Sequence, residues 1–126
     1  MTLQVPKNLE TETNRQVLSY LEPLSCHSDI VEPLDASLAQ FSDVEWFCPD
    51  IEHYKYCFWY VHDTIFAFAT GMRSIGLRLP DVAHDRAASE GAVKCTEAGS
   101  DWYSFPWDVA TIGSWSGIAY KYAIHL

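Results

Sequence analysis

The chain has 126 residues, a formal net charge of −9, and 48% hydrophobic and 14% aromatic residues. This length suits one domain that buries a core without disulfides or metal ions, and the composition excludes a disordered chain. The eight lysines and arginines are scattered along the sequence, so the basic surface on which nucleic-acid binding depends is not expected.

The N-terminal stretch is polar. Residues 1–16 lack the basic start, the apolar stretch and the small-residue cleavage site of a secretory signal, and no apolar run in the chain reaches the roughly 18 residues that cross a bilayer. We therefore expect a cytoplasmic protein without a membrane partner. Residues 1–13 include Pro6 and are predicted to form a partly frayed segment ahead of one domain over residues 14–126.

Two amphipathic helices are predicted before any strand. The first has apolar residues at helical spacing, with Thr13 or Asn14 as its N-cap. A polar connector over residues 25–33 follows, and Asp35 is expected to cap a second short helix. Both helices present one apolar face, which predicts that each packs against the sheet that follows.

The strand predicted over residues 54–62 is apolar on both faces, and the next strand, over residues 65–70, repeats this with Phe66 and Phe68 on one side. An antiparallel sheet with one wet face alternates apolar with polar residues, so this pattern predicts that each face is covered. Helices on both sides would provide the covers. If they do not, a homodimer is expected to bury the remaining face.

A β-hairpin that leads into a helix is predicted over residues 65–81. Two alternating runs flank a Gly-Met-Arg-Ser connection, and the second run stops at Pro80, which cannot continue a strand ladder. This second strand places Gly76 and Arg78 on its more open face. Asp81 is the expected N-cap of the following short helix, and Gly91 its C-terminal glycine.

Further strands are predicted over residues 92–96 and 101–105, and a terminal helix over residues 108–124. The complete order of elements predicts an α+β fold, an antiparallel sheet of about five strands with helices before, within and after it.

The second half of the chain resembles known proteins. The segments IFAFATGMRSIGLRLPD, EGAVKC, GSDWYSFPWD and WSGIAYKYA are similar to small uncharacterised bacterial proteins and, more distantly, to the TfoX N-terminal and YjbR superfamily. The shared scheme is a hairpin, a short helix, a glycine-containing turn, a tryptophan strand and a terminal helix. The resemblance implies a link to competence regulation or DNA binding, but it carries no catalytic set.

Metal and nucleophile chemistry find little support in the sequence. Cys48, His53, Cys57 and His62 are spaced like metal ligands, but Cys57 and His62 would point to opposite faces of one strand, so buried thiols and no metal or cofactor are predicted. The run GSWSG over residues 113–117 has tryptophan where the GxSxG nucleophile motif needs serine.

His84 and Asp85 could form an acid/base pair. However, the side chains of neighbouring residues on a helix diverge by about 100°. The alternative is that both residues lie on a solvated face of the helix. Trp102, Tyr103 and Trp107 can stack on a ligand or belong to the core.

One weak anion site remains. Residues 71–86 contain Arg73, Arg78 and Arg86, and we expect a small anionic ligand there, with His84 and Trp102 as further binding residues. In this interpretation the missing side chain of Gly76 leaves room beside Arg78. Alternatively, Arg78 pairs with a carboxylate and stabilises the sheet.

The sequence therefore favours a binding or interaction module without catalysis. The alternatives are an enzyme with an unidentified His/carboxylate site and a nucleic-acid-associated regulator. A basic stripe on the surface would favour the regulator, and a deep pocket holding His84 or Asp85 would favour the enzyme.

Overall fold

The computed structural model describes residues 3–24, 28–50, 55–71, 74–106, 108 and 110–126, without the side chains of residues 28–30, 32 and 33. Its helices are α1 (Glu12–Leu21), α2 (Ser28–Leu38), α3 (His84–Ser89) and α4 (Ile112–Ala123). Its strands are β1 (Glu45–Phe47), β2 (Cys57–Val61), β3 (Thr64–Thr70), β4 (Ser74–Arg78), β5 (Val93–Lys94) and β6 (Trp102–Pro106). Two 3₁₀ turns, Lys7–Leu9 and Asp81–Ala83, precede α1 and α3.

All six strands pair antiparallel in the order β1-β2-β3-β4-β6-β5. The α+β fold with helices before, within and after the sheet is confirmed, with six strands rather than about five. The additional strand is β1, where Trp46 lies opposite Trp59. Three residues are too few to show an alternating pattern, which is why the sequence did not reveal this strand.

The chain's own elements cover both faces of the sheet. The helical face packs against apolar residues of α2, α3 and α4, among them Leu34, Ala87 and Trp115. The N-terminal face packs against Leu9 and against Val17 and Leu21 of α1. Helices thus provide covers on both sides, and the condition from which a homodimer was predicted is not met in the described part of the chain. No described helix has the length and hydrophobicity of a membrane span.

A β-bulge in β3 changes which residues share a face. Trp59 pairs with Ala67 and Tyr60 with Ile65, so Phe66 is an extra residue without a partner on β2. Phe66 packs on the helical face and Phe68 on the N-terminal face. The prediction that these two rings lie on one side is therefore wrong, because strict alternation does not hold across a bulge.

The N-terminal segment packs against the sheet instead of fraying. Leu9 is fully buried, and the backbone N–H of Leu3 donates to the carbonyl oxygen of Pro49. Asn14 secures this arrangement: its Nδ2 donates to the carbonyl oxygens of Leu9 and Asp63, and its Oδ1 accepts from the N–H of Ile65. The fully buried amide thus joins the segment to the turn between β2 and β3.

Three predicted helix starts are wrong. Thr11, rather than Thr13 or Asn14, caps α1, and its Oγ1 accepts from the N–H of Asn14. Helix α2 begins at Ser28, so part of the predicted connector is helical and Asp35 lies inside the helix, where it accepts a 2.9 Å hydrogen bond from Trp59 Nε1.

Asp81 likewise makes no capping hydrogen bond, because a 3₁₀ turn precedes α3. The C-terminal glycine is confirmed: Gly91 has a φ of +96°, a backbone conformation that favours glycine at the end of a helix.

Candidate functional site

The structure separates the residues predicted to bind an anion. Arg78 and Trp102 lie on the N-terminal face, where the Arg78 guanidinium carbon is 4.9 Å from the centre of the Trp102 ring. His84 and Arg86 belong to α3, which covers the helical face. Arg73 lies outside the described residues. The four described candidates therefore do not converge on one site.

Arg78 is buried and held by protein groups. Its Nη2 donates to the carbonyl oxygen of Thr13 at 2.8 Å, and its Nε lies 3.4 Å from Asp101 Oδ2. Tyr122 donates a hydrogen bond to the same carboxylate oxygen. Burial lowers the pKa of Arg78, and the Asp101 carboxylate opposes this shift. These contacts join α1, β4 and the residues before β6 around one cation, as the sheet-stabilising interpretation expects.

The room expected beside Arg78 is occupied. A Cβ on Gly76 would overlap the ring of Phe68, so this ring fills the space that the glycine leaves. The sequence could not show this, because the bulge at Phe66 determines that Phe68 points to the same face as Arg78. The expectation of an open face at Gly76 is therefore wrong.

On the other side of the sheet, His84 is enclosed rather than solvated. Its side chain is 16% exposed, its Nε2 lies 3.0 Å from the carbonyl oxygen of Leu79, and its ring is 4.8 Å from that of Tyr103. Arg86 lies 4.4 Å above the ring of Trp115 and pairs with Glu90. These contacts attach α3 to its neighbours.

The cysteines and histidines stay apart as well. Cys48, Cys57 and Cys95 are buried, and exposed His62 lies 3.5 Å from Asp43. No group of three or more potential metal ligands occurs among the described residues. His53 of the predicted ligand series falls outside them, as does Trp107 among the predicted stacking aromatics. Trp102 and Tyr103 are core residues.

A cleft of about 480 Å³ opens at a place that the sequence did not single out. It lies between the N-terminal segment, α1 and the residues that flank the sheet. Its lining consists of Leu3, Val5, Glu10, Leu18, Ser19, Glu22, Pro49, Lys55 and Tyr56. Sites for small ligands are commonly about 300–1,000 Å³, so this cleft has the size of a ligand site.

The inner wall of the cleft is apolar and its rim is charged. Val5, Leu18 and Tyr56 also pack in the core on the N-terminal face, which makes the inner wall part of a rigid layer. Glu10, Ser19, Glu22 and Lys55 lie at the exposed rim. The described residues of the rim therefore provide two carboxylates and one ammonium.

Tyr56 is the most enclosed polar group of the cleft. Its residue is 6% exposed, and its hydroxyl makes no hydrogen bond with the described residues. Burial raises the pKa of Tyr56, and the negative charge of Glu22 and then that of Cys48 add to the shift. The phenol consequently keeps its proton at neutral pH and offers both a donor and an acceptor.

No family model, curated protein or solved structure matches this chain. The resemblance to the TfoX and YjbR proteins accordingly stays a prediction.

Sequence reasoning missed the cleft because three of its nine described lining residues, Leu3, Val5 and Glu10, come from the segment predicted to be frayed. The only signal was the set of apolar residues Leu3, Val5 and Leu9 within that polar stretch. Their alternate spacing is too short to identify an element, and the long-range contact of Leu3 with Pro49 is not encoded locally.

Proposed function

We propose that this protein is a non-catalytic binding protein whose ligand is a small molecule held in the cleft between the N-terminal segment and α1. The observation that carries the proposal is an apolar inner wall, continuous with the core, below a few polar groups. A site of this composition binds an apolar body and orients its polar end. A cytoplasmic location is part of the proposal, and the free thiols of Cys48 and Cys95 support it.

The cleft supports this function better than the anion site does. The rim of the cleft is accessible, whereas Arg78 is already paired and the space at Gly76 is filled. Ser19 and Lys55 are exposed residues of the lining, so this side of the cleft is accessible to a small ligand. The mechanism is equilibrium binding, and the rigid inner wall reduces the ordering cost when a ligand enters.

Filling the cleft tests the proposal. Ser19→Phe places a ring at the rim, and Ser114→Phe, an exposed position on α4 away from the cleft, is the matched control. We expect ligand-observed NMR with a library of small amphiphiles to detect ligands of the unmodified protein and of the control, with binding lost in Ser19→Phe. Ligands that bind all three proteins equally, or no ligand for any of them, would reject the cleft as the site.

A further inference from the structure

The charges around the cleft indicate which end group its ligand carries. Among the described lining residues, Glu10 and Glu22 contribute two carboxylates against the one ammonium of Lys55, so this part of the lining has a net negative charge within a chain that is itself acidic. An anion would have to approach against this field, whereas a cation is attracted by it.

A second observation points to the same end group. Tyr56 is more than nine-tenths buried, lines the cleft, and has a hydroxyl without a hydrogen-bond partner in the described part of the chain. Because the Tyr56 hydroxyl is not one of the fully buried polar atoms that lack a partner, it is accessible from the cleft, and its oxygen can accept a hydrogen bond from a donor that enters. Glu22 lines the same cleft, and its negative charge acts on the Tyr56 phenol.

We propose that the ligand is an amine: a molecule with an apolar body and a protonated primary ammonium group that Glu22 and Tyr56 recognise. This inference rests on the proposed function of the cleft. An ammonium has three donors and no acceptor, which suits a carboxylate and a phenol oxygen, and its apolar body suits the wall formed by Val5 and Leu18.

The test uses three probes with the same apolar chain and different end groups: n-hexylammonium, 1-hexanol and hexanoate. Their dissociation constants are measured by NMR titration at pH 7 for the unmodified protein, Glu22→Gln, Glu12→Gln and Ser19→Phe. Glu12 lies on α1 outside the cleft lining. The two glutamine variants have the same net charge, so general attraction of a cation to an acidic protein is equal in both.

We expect the unmodified protein to bind hexylammonium about tenfold more tightly than hexanol, because a charge-assisted hydrogen bond is added. Glu22→Gln should lose this preference while it still binds hexanol, and Glu12→Gln should keep it. Lys55→Met should strengthen binding of the amine, since a like charge is removed from the rim.

The results separate the two proposals. Hexanol and hexylammonium binding equally, with both lost in Ser19→Phe, would overturn the amine inference and leave the ligand cleft standing. Tighter binding of hexanoate would also overturn the amine inference, in favour of Lys55. If Glu22→Gln and Glu12→Gln weaken hexylammonium binding equally, recognition of the amine by Glu22 is rejected. If no probe responds to Ser19→Phe, the cleft itself is rejected.

Discussion

Arg78 shows how one buried charge can organise a junction. The side chain is 5% exposed, and its partners come from two separate parts of the chain: Thr13 in α1, and Asp101 with the ring of the neighbouring Trp102. A buried cation is tolerated only when protein groups replace its water. The contacts of Arg78 do so in part: Nη2 donates to Thr13 and Asp101 lies within ion-pair distance, while Nε and Nη1 make no hydrogen bond with the described residues. These contacts favour the interpretation in which Arg78 stabilises the sheet.

Replacement of Arg78 should reduce stability strongly. Arg78→Leu removes the positive charge beside the Asp101 carboxylate and the donor to the Thr13 carbonyl oxygen, and we expect a loss of about 3 kcal/mol in the free energy of unfolding, measured by urea denaturation. Arg15→Leu, on the exposed side of α1, is the control and should change it by less than about 0.5 kcal/mol. An unchanged denaturation midpoint in Arg78→Leu, together with lost stabilisation by phosphate, would show an anion-binding residue instead.

Asn14 gives a second test at the scale of one residue. Asn14→Asp keeps the shape but turns the donor toward Leu9 and Asp63 into an acceptor that faces two carbonyl oxygens. We expect a loss of about 3 kcal/mol at pH 7. The carboxyl is then favoured in its protonated form, which raises its pKa in the folded state above the unfolded value near 4.

This raised pKa determines the pH dependence of Asn14→Asp. The protonated carboxyl still donates one hydrogen bond, so the variant should be least impaired below about pH 4 and lose stability as pH rises through the folded pKa. Urea denaturation at pH 4 and pH 7, each relative to the unmodified protein, measures this difference. An impairment that is the same at both pH values would contradict it. Gln4→Glu, a change of the same type at an exposed position of the N-terminal segment, controls for the added charge.

At the scale of elements, the bulge in β3 determines what covers β4. Because Phe66 is the extra residue, Phe68 turns to the N-terminal face and lies over Gly76. Its ring is also held between Tyr20 at 5.7 Å and Trp102 at 5.0 Å, so it cannot swing aside. Gly76 is therefore required by the close approach of this ring.

A pair of glycine substitutions tests this packing. Gly76→Ala should destabilise the protein by about 2–3 kcal/mol, because the new Cβ overlaps the Phe68 ring. Gly113→Ala in α4 meets nothing within 4 Å and should be neutral or stabilising by up to about 1 kcal/mol. Thermal unfolding of both variants measures these effects. The double variant Gly76→Ala with Phe68→Leu should lose less stability than the two single variants lose together. If the two losses simply add, the predicted contact between residue 76 and the Phe68 ring is contradicted.

At the scale of the whole molecule, packing on both faces of the sheet encloses several phenols. The pKa is raised for Tyr20, to about 12, and also for Tyr56, Tyr60 and Tyr122, with burial as the largest cause in each case. Since these groups hold their protons more tightly when folded, they contribute stability that is complete below pH 10. That contribution is lost as pH rises toward 12.

Alkaline conditions should therefore weaken the fold. We expect the urea midpoint to fall between pH 9 and pH 11 as tyrosines ionise first in the unfolded chain. Between pH 9 and pH 11 the free energy of unfolding of Tyr20→Phe should fall by about 1 kcal/mol less than that of the unmodified protein. The difference is this small because solvent around the partly exposed ring weakens the electrostatic interactions of Tyr20. Equal losses in the two proteins would show that Tyr20 is not held in its neutral form. Absorbance at 295 nm follows the ionisation directly.

The homodimer stays a prediction at this scale. Light scattering at micromolar concentration distinguishes a particle of 14.3 kDa from one of about twice that mass. Because helices of this chain already cover both sheet faces, a dimer would have to use an edge strand or the exposed Trp46.

The sequence by itself determined the α+β fold, the central strands, the burial of both sheet faces and the C-terminal glycine of α3. These follow from local alternation, from composition and from single turn residues, which act within a few positions along the chain. The face assignments along β2 and β4 are confirmed for the same reason: Phe58 and Trp59 lie on opposite sides, and Ile75 and Leu77 share one.

Only the tertiary structure decided the bulge at Phe66, the pairing of Arg78 with Asp101, and the cleft. Each depends on contacts between residues far apart in sequence, such as Leu3 with Pro49 or Thr13 with Arg78. Local patterns cannot encode these contacts, because a polar N-terminal stretch is equally compatible with fraying and with docking. Packing of Leu9 and hydrogen bonding of Asn14 select docking, and docking forms one wall of the cleft.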